Sequence, residues 1–280
     1  MVAHEPRTFE LIACLGRGGF GEVYRARMHR GSFSVDVALK LLRSDIDPRG
    51  QAAERLRDEA RLLGRLRHRS IPRVFDFIKL EGRLALITEL LDGADLGDCL
   101  RLPDPPRQRA VLDAVTQVAV GLDAAFSTLQ PDGRPLGLVH RDLKPANLRV
   151  TSDGHVRILD LGIAWAAGLD RSAETQTGSI LGSPGYMAPE RFLGEPPAAA
   201  SDVYSLACVL AEALMRRPLW HEVPLPMLAA LAGDEQRFTT TQRARLLLPA
   251  DTAPEVRESL LEALAWDPRQ RPTASALALR

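Results

Sequence analysis

The sequence predicts an α+β architecture in two lobes, a small β-rich lobe followed by a larger, mainly helical one. Three observations lead there. Up to about residue 91 the apolar residues follow the pattern of short strands, interrupted by one helical stretch. After LLDGADL, near residue 92, the apolar period lengthens to that of amphipathic helices. The length, 280 residues, is also that at which one core tends to divide, roughly 250 to 300 residues.

The elements follow in order. FELIACLG (9–16), EVYRARM (22–28) and VDVALKLL (35–42) carry β-favouring or alternating apolar residues between Gly-rich or polar turns, an antiparallel meander. DIDPRGQAAERLRDEARLLGRLRH then reads as a helix, with Asp47 as N-cap, Pro48 in the first helical position, and Leu56, Leu63 and Leu66 at helical spacing. IPRVFDFIKL (71–80) and RLALITEL (83–90) restore the strands around a Glu81-Gly82 turn. A long amphipathic helix is predicted over 107–129, with others near 202–216, 225–233, 240–248 and 254–266. The boundary between two such lobes is the default place for a ligand.

Composition narrows the function classes. Hydrophobic residues at 45% and charged residues at 26% belong to a globular, not a disordered, chain. Thirty-six basic residues balance thirty-six acidic ones, so no overall field favours nucleic acid or an anionic membrane, and any phosphate binding must be local. Cys14, Cys99 and Cys208 have no paired spacing for zinc or disulfides. The amino terminus lacks a signal-peptide core, and the longest apolar segment, SLACVLAEALM (205–215), is too short to span a bilayer. The expectation is a soluble, cytoplasmic chain with reduced thiols, or the cytosolic part of a longer protein.

Four stretches carry chemistry. LGRGGFGEVY sets Gly16, Gly18 and Gly21 in a G-x-G-x-x-G pattern followed by Val23; a strand, not a helix, follows, which excludes a dinucleotide fold but allows a flap over phosphates. VALK ends on Lys40, and Glu59 on the predicted helix is a candidate ion-pair partner, though a solvated surface pair reads equally well. LVHRDLKPANLRV (138–150) sets Asp142, Lys144 and Asn147 on one short loop. Asp142 suits a general base, Lys144 a charge neutraliser at a transferring phosphoryl group, and Asn147 a divalent-metal ligand. VRILDLGIA (156–164) holds a lone carboxylate, Asp160, after what look like buried strand positions at Val156, Ile158 and Leu161. Desolvation there would demand compensation, so Asp160 either closes the strand with Gly162 or binds a metal.

The ordered set of glycine loop, VALK, HRDLKPAN, DLG, SPGYMAPE (183–190) and SDVYSL (201–206) resembles the eukaryotic-type serine/threonine protein kinases, bacterial members included, from about residue 9 to 280. The resemblance implies one catalytic domain over 1–280, with an N-lobe of about 8–91 and a C-lobe of about 92–280. It implies ATP with Mg²⁺, or Mn²⁺, as cofactor and transfer of the γ-phosphoryl group to Ser or Thr hydroxyls of protein substrates. Asp160 then takes the metal-ligand position with Asn147, and Lys40 pairs with Glu59. Glu89 and Leu91 of TELL meet adenine through their backbone, with Thr88 behind it, Val23 and Ala38 above and Leu148 below. Leu161 stands where the motif usually has Phe. It would stack with Leu63, Val74 and His140 in an internal column anchored by Asp202, while Glu190 and Arg271 form a buried ion pair. Ser183 and the DLKP form of the loop resemble the serine/threonine branch.

Regulation is implied as well. Arg141 precedes the catalytic aspartate, and Thr175, Thr177 and Ser179 in ETQTGSILGS are candidate phosphosites. Autophosphorylation, through a transient homodimer, would pair the Thr175 and Thr177 phosphates with Arg141. A pseudokinase-like scaffold and a small-molecule kinase are the alternatives. The first commonly lacks one of Lys40, Asp142, Asn147 or Asp160, all present, and SPGYMAPE argues against the second.

Overall fold

The computed structural model describes residues 7–18, 21–161 and 183–278, with residues 51, 52, 55 and 59 given as backbone alone. These residues divide into two compact units, one comprising 7–67 and 72–92, the other 68–71, 93–161 and 183–278.

The first unit is a five-stranded antiparallel sheet with one helix. Strands β1 (Thr8–Gly18), β2 (Gly21–Arg30), β3 (Phe33–Leu42), β4 (Val74–Leu80) and β5 (Arg83–Glu89) lie in the order β1-β2-β3-β5-β4. Alternation in β3 buries Val37 and Leu39 completely, and with Ala26, Ala85 and Ile87 they form the core of the sheet. Helix α1 (Gln51–Arg65) packs against β4 through its apolar stripe, with Leu56 and Leu63 buried. Burying a leucine side chain contributes roughly 1.5 to 3 kcal/mol.

The start of α1 corrects the sequence reading. Asp47 and Pro48 do not cap it, because the Asp47 carboxylate accepts the Arg49 N–H at 2.9 Å and its carbonyl accepts the Gly50 N–H at 3.0 Å. That closes a turn before the helix and leaves Gly50 in the flanking position. Aspartate before proline satisfies the turn as well as it would a cap.

The second unit is mainly helical. Helix α3 (Gln108–Ser127) turns Val111, Val115, Val118, Ala119, Leu122 and Ala125 inward, and the helix Ala199–Met215 packs on it with Tyr204, Leu206 and Val209 buried. Among the described residues α3, not 205–215, is the helix long and apolar enough to cross a membrane, but its apolar side lies in this core. A second correction concerns 240–248. The helix there is Glu235–Arg245, started by Asp234, whose carboxylate accepts the Arg237 N–H at 3.0 Å. Leu247 lies beyond it, exposed, because Phe238 and Gln242 supply the buried side instead. The helices Leu225–Ala232 and Pro254–Ala263 fall where the period predicts them.

A three-stranded antiparallel sheet, β6 (Ala94–Asp95), β7 (Leu148–Val150) and β8 (Val156–Ile158), is the element that places the chemistry. Its strands are too short for a period to register in the sequence. Asn147 runs directly into β7, and Asp160 follows two residues after β8, so both sit at one end of the same strand pair. The short helix α2 (Leu96–Leu100) continues from β6.

Candidate active site

The loop between α3 and β7 is held from below by a buried carboxylate. Asp202, on the helix Ala199–Met215, accepts the backbone N–H of His140 at 2.6 Å and of Arg141 at 2.9 Å. Burial pushes the Asp202 carboxyl above the usual carboxylate range, and the two N–H donors and the neighbouring His140 and Arg141 offset part of that. His140 is almost fully enclosed. Its Nδ1 lies 3.4 Å from the Asp142 N–H and its Nε2 2.9 Å from the Leu159 carbonyl, so both ring nitrogens are held by backbone. Held this way, Arg141 adopts a left-handed backbone, φ 75°, of the kind that costs roughly 1 to 3 kcal/mol and persists where the surroundings impose it.

Asp142 is surrounded by donors. Lys144 Nζ lies 2.8 Å from Oδ2, the Ser183 N–H donates to Oδ1 at 3.3 Å, and Asn147 Nδ2 donates to the Asp142 carbonyl at 2.8 Å. Both charged side chains remain partly exposed, at 19% for Asp142 and 26% for Lys144. The ring of donors orients the carboxylate without closing it off. The Ser183 contact was not legible in the sequence, because it brings together residues 41 positions apart.

Asn147 and Asp160 are tied together by the Leu159 N–H, which donates to the Asn147 carbonyl at 2.8 Å. With its Nδ2 turned to Asp142, Asn147 has its amide oxygen as the atom for a cation. Asp160 corrects an expectation: it is exposed, past the end of β8 in a left-handed conformation (φ 56°), so no burial penalty demands compensation. Leu161, next to it, is buried. Among the described residues no three His, Cys, Asp or Glu side chains cluster as a metal cage. One amide and one carboxylate oxygen nonetheless fit Mg²⁺, which takes few protein ligands and completes its shell with phosphate oxygens and water.

The first unit carries the other candidates. Gly16 has open space where a side chain would project, as a ligand approach needs. Gly21 is required by the sheet itself: its φ is 139°, and a Cβ there would lie 2.0 Å from the Leu41 carbonyl oxygen of β3. Gly18 pairs with Gly21 across the hairpin. Val23 sits opposite Lys40, and Ala38 opposite Thr88. Lys40 is buried at 7% exposure; the side chain of Glu59 is not among those described. Thr88, Glu89 and Leu91 are half-buried at the end of β5, but the Glu89 N–H already donates to the Arg73 carbonyl at 2.9 Å, so of this residue only the carbonyl can serve a purine. Leu148 is corrected more fully. It is 0% exposed, on the buried face of β7, and cannot itself touch a base. Thr175, Thr177 and Ser179 lie outside the described residues.

SPGYMAPE is anchored at two points. Glu190 and Arg271 meet in a two-pronged ion pair, both contacts 2.8 Å, with 6% and 0% of their side chains exposed. Burial alone would raise the Glu190 carboxyl, but the Arg271 bonds outweigh it and hold the group below the usual range. Tyr186 donates its O–H to Glu212 at 2.5 Å, and burial pushes both the phenol and the carboxyl up. Nothing in the spacing of 186 and 212 announces that contact.

The family model for the protein kinase domain matches residues 9–279 of the chain. The chain is 33% identical over 266 residues to the serine/threonine-protein kinase PknD of Mycobacterium tuberculosis, covering 94% of this chain and 37% of that protein. It is 35% identical over 272 residues to the serine/threonine-protein kinase PknA of the same species, covering 94% and 58%. To the tyrosine-protein kinase MasK of Myxococcus xanthus it is 34% identical over 277 residues, covering 96% and 42%. The aligned stretch is thus 37 to 58% of the length of these relatives.

Proposed function

Because the chain belongs to the protein kinase family, we propose that it is a serine/threonine protein kinase, transferring the γ-phosphoryl group of ATP to a protein hydroxyl. The observation that carries this reading is the setting of Asp142: a partly exposed carboxylate held by Lys144 and the Ser183 N–H, with Asn147, a proposed cation ligand, bonded to its backbone carbonyl.

Asp142 accepts the proton of the substrate hydroxyl as its oxygen attacks the γ-phosphorus, the bond from that phosphorus to the bridging β-phosphate oxygen breaks, and ADP leaves. Lys144, already within an ion pair's reach of Asp142, holds the base in place and lends positive charge to the phosphoryl group in transfer. Asn147 and Asp160 would hold the divalent ion, which would supply positive charge to neutralise the phosphate oxygens. Lys40 positions the phosphates, paired with Glu59, and Gly16 and Gly18 let the backbone approach them. Val23, Ala38, Thr88, the Glu89 carbonyl and Leu91 receive the base. The acceptor is Ser or Thr: PknD and PknA carry that name, and the DLKP loop and Ser183 agree with it, although MasK is named a tyrosine kinase. Thr175 and Thr177 are the proposed sites of autophosphorylation, with Arg141 as phosphate partner.

The test is transfer from labelled ATP with Mg²⁺ to a generic protein, followed by phosphoamino-acid analysis. Label on Ser or Thr is expected in the parent chain. Asp142→Asn should lose transfer by at least the roughly 10²- to 10⁴-fold of a missing base while binding ADP as before. Substantial transfer by that variant, or label on tyrosine alone, would overturn the assignment.

A further inference from the structure

One end of the five-stranded sheet carries a cavity of about 530 Å³, lined by Arg17, Glu22, Arg43, Ser44, Asp45 and Arg83. Arg17 lies near the end of β1 and Glu22 at the start of β2, residues 43–45 directly follow β3, and Arg83 opens β5. Glu22 pairs with Leu41, and its neighbour Val23 pairs with Lys40. Because successive strand residues alternate between faces, Glu22 points away from the side of the sheet assigned above to the nucleotide. The cavity is therefore a separate site.

Three guanidiniums share two carboxylates here and leave one positive charge in excess. They are not held alike. Arg83, 29% exposed, is committed: its Nη1 donates to Glu22 at 3.0 Å and its Nε to the Leu42 carbonyl at 2.9 Å. Arg17, 72% exposed, comes only within 3.4 Å of the other Glu22 oxygen. Arg43, 47% exposed, pairs with Asp45 two residues along the chain. Such exposed pairs contribute little, so both side chains can turn from their carboxylates to a stronger anion. A phosphate dianion is that anion, because it takes guanidinium edges two bonds at a time in contacts about twice as strong as neutral hydrogen bonds. A phosphate group fills the space of a few water molecules, about 30 Å³ each, which leaves room in the cavity for the residues that carry it.

We propose that this cavity is a second ligand site, one that binds a phosphorylated serine or threonine of a peptide segment. Arg17 and Arg43 grip the phosphate beside the Ser44 hydroxyl, and Arg83, fixed by Glu22, is the wall behind it. The ligand class rests on the transfer proposed above, whose products are such residues, whereas the binding itself needs no transfer. The site would retain a product, or draw in a protein already phosphorylated once.

The experiment titrates the parent chain, without nucleotide, into a fluorescein-labelled glycine-alanine nonapeptide with one central phosphothreonine, and into its threonine counterpart, reading anisotropy. The variants are Arg17→Gln, Arg43→Gln and, as a control for net charge, Arg134→Gln, whose side chain is exposed in the second unit. Arg83 is left intact, since its bonds to the Leu41 and Leu42 carbonyls hold the sheet. Thermal melting checks that each variant is folded. The phosphopeptide should bind the parent more tightly than the threonine peptide. Arg17→Gln and Arg43→Gln should each weaken it by about 3- to 10-fold, Arg134→Gln should not, and Arg43→Gln should still phosphorylate a generic protein. Equal binding of the two peptides, unchanged affinity in both cavity variants, or an equal loss in Arg134→Gln would overturn the proposal. So would inorganic phosphate that displaces the peptide at the peptide's own concentration, which would make this a site for the free anion. Absence of transfer by the parent chain bears on the proposed function alone, because these titrations do not depend on it.

Discussion

Arg271→Met removes one side of the enclosed ion pair beneath SPGYMAPE. Arg271 makes five hydrogen bonds: two to Glu190, and one each to the carbonyls of Ala265, Ala200 and Trp266, at 2.8 to 3.0 Å. Its guanidinium also lies over the Tyr204 ring, 5.0 Å from the centroid. With none of the Arg271 side chain exposed, water cannot replace these bonds. Glu190 would keep the Ser201 hydroxyl, at 2.7 Å, and its own backbone N–H against its charge. Stranding a buried charge costs roughly 3 to 5 kcal/mol. At about 2 to 4 °C per kcal/mol for a domain of this size, the melting temperature should fall by about 6 to 20 °C. Adding Glu190→Gln should recover part of the loss, because the stranded group is then neutral. Urea unfolding followed by tryptophan fluorescence, with Trp220 and Trp266 reporting on the second unit, measures both. A loss below about 1 kcal/mol for Arg271→Met, or a double variant no better than the single, would refute the argument. The pH dependence follows the same sign. The folded Glu190 carboxyl is held below its unfolded value, so its stabilisation is present at neutral pH and is lost as pH falls through the folded value.

Three further outcomes are expected. Glu212 has the opposite sign: its carboxyl is raised by burial, so the parent chain loses stability as pH climbs from the ordinary glutamate value of about 4.3 through the raised one. Urea midpoints of Glu212→Gln should therefore gain on the parent as pH rises, and parallel profiles would exclude Glu212 as the source. Gly93→Ala should destabilise by more than about 2 kcal/mol, since Gly93 has φ 87° and a Cβ would lie 1.9 Å from the Val150 carbonyl oxygen; an unchanged melting temperature would refute that contact. Lys40→Met should abolish most phosphoryl transfer while moving the melting temperature little, because methionine keeps the buried stem; a loss of stability as large as that of Arg271→Met would make Lys40 structural.

The sequence by itself determined the strands of the first unit, the long helices of the second, and the order of the motifs, since period and short-range composition are local properties. It also determined the pairing of Glu190 with Arg271, but only through resemblance, because 81 positions separate them. Where local signals compete, it misplaced boundaries: Asp47-Pro48 suits a turn as well as a cap, and the leucines of 246–248 imitate a helical face that Phe238 and Gln242 supply. Tertiary structure alone decided which way the short strands face. A three-residue strand has no period to read, so which of Leu148 and Arg149 faces inward is settled only by the register with Ile158, Asp95 and Arg157. It likewise decided that Asp160 is exposed, that Ser183 reaches Asp142, and that Tyr186 meets Glu212, because each depends on where distant backbone segments come to rest.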